Sequence, residues 1–196
     1  MRADRPRAPA ALPADGPGRP RSVSSCGVAG VLYSHCSYCG TIYPDSAGWP
    51  RICVACGETT WRNPLPVAVA ILPVLTRTGT GVVAVRRAIE PGRGLLALPG
   101  GFIEYGEDWR EALVRELWEE TGLTGVPDEV RLFDVHSAPS GATIMIFGVL
   151  PARRAEALPP STPTEEATEW LVLTEPVELA FSTHTRALAD FLASPA

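Results

Sequence analysis

Residues 101–123 read GFIEYGEDWREALVRELWEETGL, and the fold is decided by how this stretch is read. Asp108 followed three residues later by Glu111 matches a capping box, so a helix should begin at Asp108. Gly122 is a suitable stop for it after Thr121. Trp109, Leu113 and Leu117 recur at steps of four and form an apolar stripe for a core. Glu116 and Glu120 stand at the same step, with Glu119 between them, so three carboxylates crowd two helical turns. Unpaired, each like-charged pair costs a few tenths of a kcal/mol (roughly 0.2–0.5). The crowding turns favourable when the carboxylates share a hard divalent cation, which takes oxygen ligands. Arg115, four residues before Glu119, offsets part of the repulsion. Leu98-Pro99-Gly100-Gly101 lies just ahead, and its glycines let backbone carbonyls approach a metal closely. Taken alone, the acidic run reads equally well as a solvated helix face.

Strand signals flank the helix. Val67 to Leu75 and Gly81 to Arg87 are β-branched, apolar segments separated by Thr78-Gly79-Thr80-Gly81, the pattern of a hairpin in a buried sheet. Arg131 to Ala138, Ala142 to Leu150 and Glu169 to Leu173 are further strands. His184 to Leu192 is a closing amphipathic helix with Leu188 and Leu192 on one face. An α/β fold follows, a mixed sheet with helices on its faces.

The chain organises into a tail over 1–30, a cysteine module over 31–62 and a catalytic domain over 63–196. The tail is rich in Arg, Pro and Ala and has too little apolar surface to offset its ordering entropy, so disorder is expected. It lacks the continuous apolar core of a secretory signal, which points to the cytoplasm. An organellar location is the alternative if the Arg-rich tail is a transit peptide. No apolar run approaches the roughly 20 residues that span a bilayer, so no membrane span is expected.

All 17 basic residues are arginine. Residues 1–28 hold five Arg against two Asp (+3), and the rest holds twelve Arg against twenty acids (−8). An acidic body is not the basic footprint of a nucleic-acid binder, but it suits a protein that collects divalent cations.

Cys36-Ser37-Tyr38-Cys39-Gly40 and Cys53-Val54-Ala55-Cys56-Gly57 are two matched knuckles separated by thirteen residues. Tetrahedral zinc takes four thiolates from two tight turns, and glycine after each pair permits the turn. This is zinc-ribbon spacing, with Zn²⁺ in a structural role because four thiolates leave no open position for water. A disulfide would need an oxidising compartment. Cys26 is expected to be a free thiol, and His35 a bystander beside a complete ligand set.

Gly101, Glu107, Arg115, Glu116, Leu117, Glu119, Glu120, Gly122 and Leu123 match all nine specified positions of the Nudix box, and the chain resembles the Nudix hydrolase family on that ground. The resemblance implies an α/β/α sandwich and Mg²⁺-dependent (or Mn²⁺-dependent) hydrolysis of a pyrophosphate bond in a nucleoside diphosphate linked to another group. It implies that Glu116, Glu119 and Glu120 hold the metal with the Gly100 carbonyl, and that Arg115 and Glu107 pair to hold the helix in register. It also implies a general base, either a box glutamate or a downstream loop acid. Glu165, Glu166 and Glu169 are the downstream candidates, Glu166 foremost.

A ribbon ahead of such a domain is similar to the NADH pyrophosphatase group. That group carries Ser-Gln-Pro-Trp-Pro-Phe-Pro after the box, where this chain has His136-Ser137-Ala138-Pro139-Ser140-Gly141-Ala142. Arg62-Asn63-Pro64, Arg86-Arg87-Ala88-Ile89-Glu90-Pro91 and Leu179-Ala180-Phe181-Ser182 resemble instead a sister group that includes plant plastid FAD/ADP-ribose pyrophosphatases. ADP-ribose or FAD is therefore the expected substrate, cleaved to AMP and a phosphorylated product. NADH or CoA hydrolysis and a catalytically idle ligand sensor are the alternatives. Arg87 and Arg93 are candidates for substrate phosphates, because a planar guanidinium suits that geometry. Trp118 reads as packing, and His136 and His184 as ordinary structural residues. The implied partner is a nucleotide-type small molecule, with no nucleic acid and no membrane; relatives of this kind include dimers, so a homodimer is admitted.

Overall fold

The computed structural model describes residues 32–44 and 48–193. The tail over 1–30 and Cys26 lie outside the described residues. The chain divides into two compact units between Trp61 and Arg62.

In the first unit each cysteine pair sits on a tight turn. Gly40 donates its N–H to the Cys36 carbonyl at 3.0 Å, and Gly57 to the Cys53 carbonyl at 2.9 Å. Both glycines take left-handed backbone, with φ of 75° and 77°, which residues bearing a Cβ adopt only with strain. A bridge between His35 and Ile42 closes the first turn. Strand β1 (Arg51–Ile52) pairs antiparallel with β2 (Thr59–Thr60) to close the second. Among the described residues the buried apolar cluster of this unit is Cys36, Tyr43 and Cys53.

The second unit runs β3 (Leu65–Ile71), β4 (Pro73–Leu75), β5 (Thr80–Arg87), β6 (Leu96–Ala97), β7 (Gly100–Phe102), α1 (Trp109–Thr121), β8 (Arg131–Ser137), β9 (Thr143–Val149), β10 (Arg153–Arg154), β11 (Ala167–Leu173) and α2 (Ser182–Ala193). One sheet has the order β7-β3-β9-β8 and the other β10-β4-β5-β11, with β6 also on β5. The β3–β9 and β4–β10 pairs are parallel and the rest antiparallel, so both sheets are mixed.

The segment Val67 to Leu75, read as one arm of a hairpin, is divided between the two sheets. Pro73 has no N–H to continue the β3 ladder. The Leu72 carbonyl accepts from the Val83 N–H at 3.1 Å, and only Pro73–Leu75 forms the hairpin with β5. Crossing from sheet to sheet keeps the middle of the segment buried, with Ala68 to Leu72 and Val74 at 0% exposure.

Alternation along the strands splits the interior in two. Ala68, Ala70, Leu72, Val83 and Val85 face Leu113 and Leu117 of α1, while Val69, Ile71, Val82 and Ala84 face Ala187 and Leu188 of α2. Strands covered on both faces lose polar alternation and read as continuous apolar runs. The result is the α/β/α sandwich, with α1 and α2 on opposite faces. Full burial of leucines such as Leu113 and Leu117 is worth about 1.5–3 kcal/mol each. The start of α1 is fixed as its sequence implies: Asp108 and Glu111 form a reciprocal capping box, and Gly122 is the left-handed C-cap.

On α2, His184 is buried against the rings of Phe147 and Phe181, and its Nδ1 accepts the Leu98 N–H at 3.3 Å. Burial, with a smaller push from Arg87, holds its pKa down at about 3, against 6.5 when free. A folded pKa below the unfolded one leaves stability whole above pH 6.5 and removes it as pH falls towards 3. Stability should therefore fall by about 1.4 kcal/mol per pH unit from this group below pH 6.5. Urea midpoints between pH 7 and 4.5 should decline more steeply in the wild type than in His184→Gln. Parallel declines would show that His184 protonates freely in the folded protein.

Candidate active site and cysteine cluster

The box turns from β7 into α1, and this turn brings the sequence-predicted residues together. Gly101 lies against the Glu116 carboxylate so closely that a Cβ on Gly101 would come within 2.5 Å of it. Any larger residue would push Glu116 aside. Gly100 donates its N–H to Glu120 Oε2 at 3.0 Å, which ties the second carboxylate to the same turn.

Arg115 organises the helix around it. Its Nε and Nη2 grip the two oxygens of Glu107 at 2.9 Å each, the expected pairing. Nη2 also donates to the Phe102 carbonyl at 3.0 Å, while Nη1 is shared by Glu116 at 2.7 Å and Glu119 at 3.1 Å. The Arg115 guanidinium beside Glu107 holds that carboxyl below the usual range.

The two inner carboxylates behave differently. Burial raises the Glu116 pKa, with Arg115 opposing. Burial also pushes Glu120 up to about 8, opposed by the Gly100 N–H and Arg87 and reinforced by repulsion from Glu116 and Glu166. Of the three downstream acids, Glu166 adds its repulsion to both Glu116 and Glu120. Glu169 is instead bound to Arg86 at 2.7 Å, because it is the cross-strand neighbour of Arg86 in the β5–β11 ladder. Glu165 is exposed.

Glu107, Glu116 and Glu119 thus share one guanidinium, that of Arg115, while the charge of Arg87 acts on Glu120. A cluster with surplus partly buried negative charge and all-oxygen donors fits a hard divalent cation. The carboxylates are not drawn into a tight ligand set, since Arg115 Nη1 holds Glu116 and Glu119.

Two residues singled out in the sequence have environments that their spacing did not reveal. Arg87, read as a candidate for substrate phosphates, is buried: its Nε donates to the Pro91 carbonyl at 2.7 Å and its guanidinium lies 5.2 Å from the Phe181 ring centre. It is the last residue of β5, whose two faces are both covered. Trp118 does not pack in the core; it is 57% exposed, and the helical step of about 100° per residue turns it away from Glu116 and Glu120. Arg93 is exposed on the loop between β5 and β6. Arg86, passed over as part of a motif, proves to be an anchor for that loop, since its Nη1 donates to the Gly94 carbonyl at 3.1 Å.

In the first unit the sulfurs of Cys36, Cys39, Cys53 and Cys56 all lie within 4.8 Å of one another. The Cys36–Cys56 and Cys39–Cys53 separations are 3.7 and 3.6 Å. A disulfide would need about 2.05 Å, whereas a tetrahedron of thiolates 2.3 Å from zinc has edges of about 3.8 Å. The set therefore fits a tetrahedral metal. The Cys39 amide N–H lowers the Cys36 thiol to about 6, while at Cys56 the Glu58 N–H is outweighed by burial and the neighbouring sulfurs, which push it up to about 12. His35 is outside the cluster, with its Nδ1 2.8 Å from Ser34 Oγ. No helix among the described residues is long and apolar enough to cross a membrane.

Comparison with known proteins agrees with this geometry. Residues 64–192 match the NUDIX domain model. An ADP-ribose pyrophosphatase of Methanocaldococcus jannaschii is 35% identical over 136 residues, which cover 67% of this chain and 77% of that protein. An ADP-sugar pyrophosphatase of Mus musculus is 40% identical over 88 residues; these are 43% of this chain and 40% of the mouse protein's length. Among solved structures, a NUDIX hydrolase from Nitrosomonas europaea superposes with a TM-score of 0.63 at 25% identity, covering 81% of this chain and 90% of its own.

Proposed function

Since the chain belongs to the NUDIX family of hydrolases, we propose that it cleaves the pyrophosphate bond of ADP-ribose or, secondarily, FAD, giving AMP and a phosphorylated product. The observation that carries this reading is the gathering of Glu116 and Glu120 on the Gly100–Gly101 turn, with Arg115 holding the helix in register. The ADP-ribose and ADP-sugar pyrophosphatase relatives favour ADP-ribose over NADH or CoA.

Glu116, Glu119 and Glu120, with the Gly100 carbonyl, would hold Mg²⁺ or Mn²⁺. The bound cation would neutralise the diphosphate, acidify a water and stabilise the leaving phosphate. Glu166 would be the base that accepts the proton of the attacking water, a reading supported by its repulsion of both Glu116 and Glu120. Arg93, exposed, is better placed than Arg87 to meet substrate phosphates. Arg87 has a different part: its buried charge favours the ionised form of Glu120. Cys36, Cys39, Cys53 and Cys56 would hold a structural Zn²⁺.

The test is a substrate screen of ADP-ribose, FAD, NADH, CoA and nucleoside triphosphates with Mg²⁺ or Mn²⁺, with products separated by chromatography. AMP should appear from ADP-ribose with kcat/KM at least about tenfold above NADH, a difference of about 1.4 kcal/mol in transition-state binding. A preference for NADH, CoA or a triphosphate would overturn the substrate assignment.

A further inference from the structure

Strand β11 enters its sheet irregularly. Ala167 pairs with Arg87 and Glu169 with Arg86, so Thr168 is an extra residue, a β-bulge, and its hydroxyl donates to the Arg86 carbonyl at 3.3 Å. Thr168 and Glu169 are both exposed, where an unbroken strand would alternate. A bulge changes which face the residues before it present, and bulges beside sites re-aim side chains. Glu166 is the second residue before this one. Its carbonyl accepts the Ala88 N–H at 2.7 Å, which fastens it to the first residue of the loop that follows β5.

Arg86 closes the arrangement from the other side. Its Nε holds Glu169 at 2.7 Å, just past the bulge, and its Nη1 holds the Gly94 carbonyl at 3.1 Å, at the far end of the same loop. The contacts of residue 86 with 169 and 94, and of 88 with 166, thus bracket the bulge on both strands.

We propose that Arg86 is a positioning residue, whose fork-shaped contacts to Glu169 and Gly94 fix the bulge and so aim Glu166 at the box carboxylates. The inference rests on Glu166 being the base. It accounts for an ion pair that has little else to do, because an exposed pair of this kind adds little to stability. It also requires arginine: an ammonium group lacks the planar fork that serves two acceptors in different directions.

The experiment is a double-mutant cycle on the full chain, with ADP-ribose turnover and thermal midpoint measured for each variant. Arg86→Gln should lower kcat about tenfold, part of the 10²–10⁴-fold a general base supplies. KM should stay within about twofold and the thermal midpoint nearly unchanged, and Arg86→Lys should recover only part of the rate. In a Glu166→Gln background the same Arg86→Gln change should cost less than about twofold, since its target is already gone. If the tenfold loss persists in that background, or appears in KM alone, Arg86 does not act through Glu166 and the proposal falls while the base assignment stands. If Glu166→Gln itself turns over at the wild-type rate, the base assignment falls and takes the proposal with it.

Discussion

Glu120→Gln should abolish turnover and, in the metal-free protein, make the fold more stable. Glu120 is 3% exposed and its carboxyl titrates near 8, against 4.5 when free. A folded pKa above the unfolded one costs nothing below pH 4.5, where both states are protonated. Between pH 4.5 and about 8 the unfolded chain gains from ionising and the folded chain does not, so stability falls as pH rises. Glutamine removes that penalty and its amide oxygen can still accept the Gly100 N–H. At pH 7 the variant should be more stable by about 1–3 kcal/mol, a gap that closes near pH 4.5. Activity should move the opposite way. Loss of a charged ligand forfeits about 4 kcal/mol of transition-state stabilisation, roughly a thousandfold in kcat. Added Mg²⁺ or Mn²⁺ should raise the thermal midpoint of the wild type and leave the variant nearly unmoved. Near wild-type turnover in Glu120→Gln would sink the ligand assignment. A less stable metal-free variant would show instead that Glu120 is already satisfied by its protein partners.

The legible part of this site is its local part. The helix from Trp109 to Thr121, its caps and the carboxylates at steps of three and four depend on contacts within a few residues, so spacing alone specifies them. The same holds for the cysteine knuckles, where glycine and the two-residue gap define each turn. What the spacing leaves open is pairing at a distance. Glu165, Glu166 and Glu169 are equivalent as a run of acids; the β5–β11 register and the extra residue at Thr168 separate them, giving the Glu169 side chain to Arg86 and the Glu166 carbonyl to the Ala88 N–H. Adjacent arginines at 86 and 87 are likewise alike in sequence and opposite in the sheet, one half-exposed and one buried. Pro73 was a visible signal for the division of Val67 to Leu75, since a proline in an apolar run argues against one continuous central strand. Trp118 lies outside the stripe of Trp109, Leu113 and Leu117, and that offset already disfavoured core packing.

The largest effect on folding should come from one sulfur atom. Among its described residues the first unit has two strands of two residues and a buried cluster of Cys36, Tyr43 and Cys53. So small a core does not offset the entropy of ordering the segment, and units of this size need a staple. Bound structural zinc supplies an apparent 10–16 kcal/mol (roughly) that becomes folding free energy. Cys53→Ser replaces a buried thiolate with a poor zinc ligand and should leave this unit unfolded with the NUDIX unit intact. Arg51 provides the readout, because it is the one trypsin site between residues 32 and 61. In the folded unit its Nη1 donates to the Tyr33 carbonyl at 2.8 Å and its guanidinium lies 4.6 Å from the Trp49 ring centre, so the bond to Ile52 is guarded. Cleavage after Arg51, followed by mass spectrometry, should be at least about a hundredfold faster in Cys53→Ser, and chelator should bring the wild type towards the same rate. Metal analysis of the reduced wild type should find one zinc per chain. Reduced protein that carries no zinc and still resists trypsin at Arg51 would mean that the four thiols hold this unit together without a metal, and the ribbon assignment would fail.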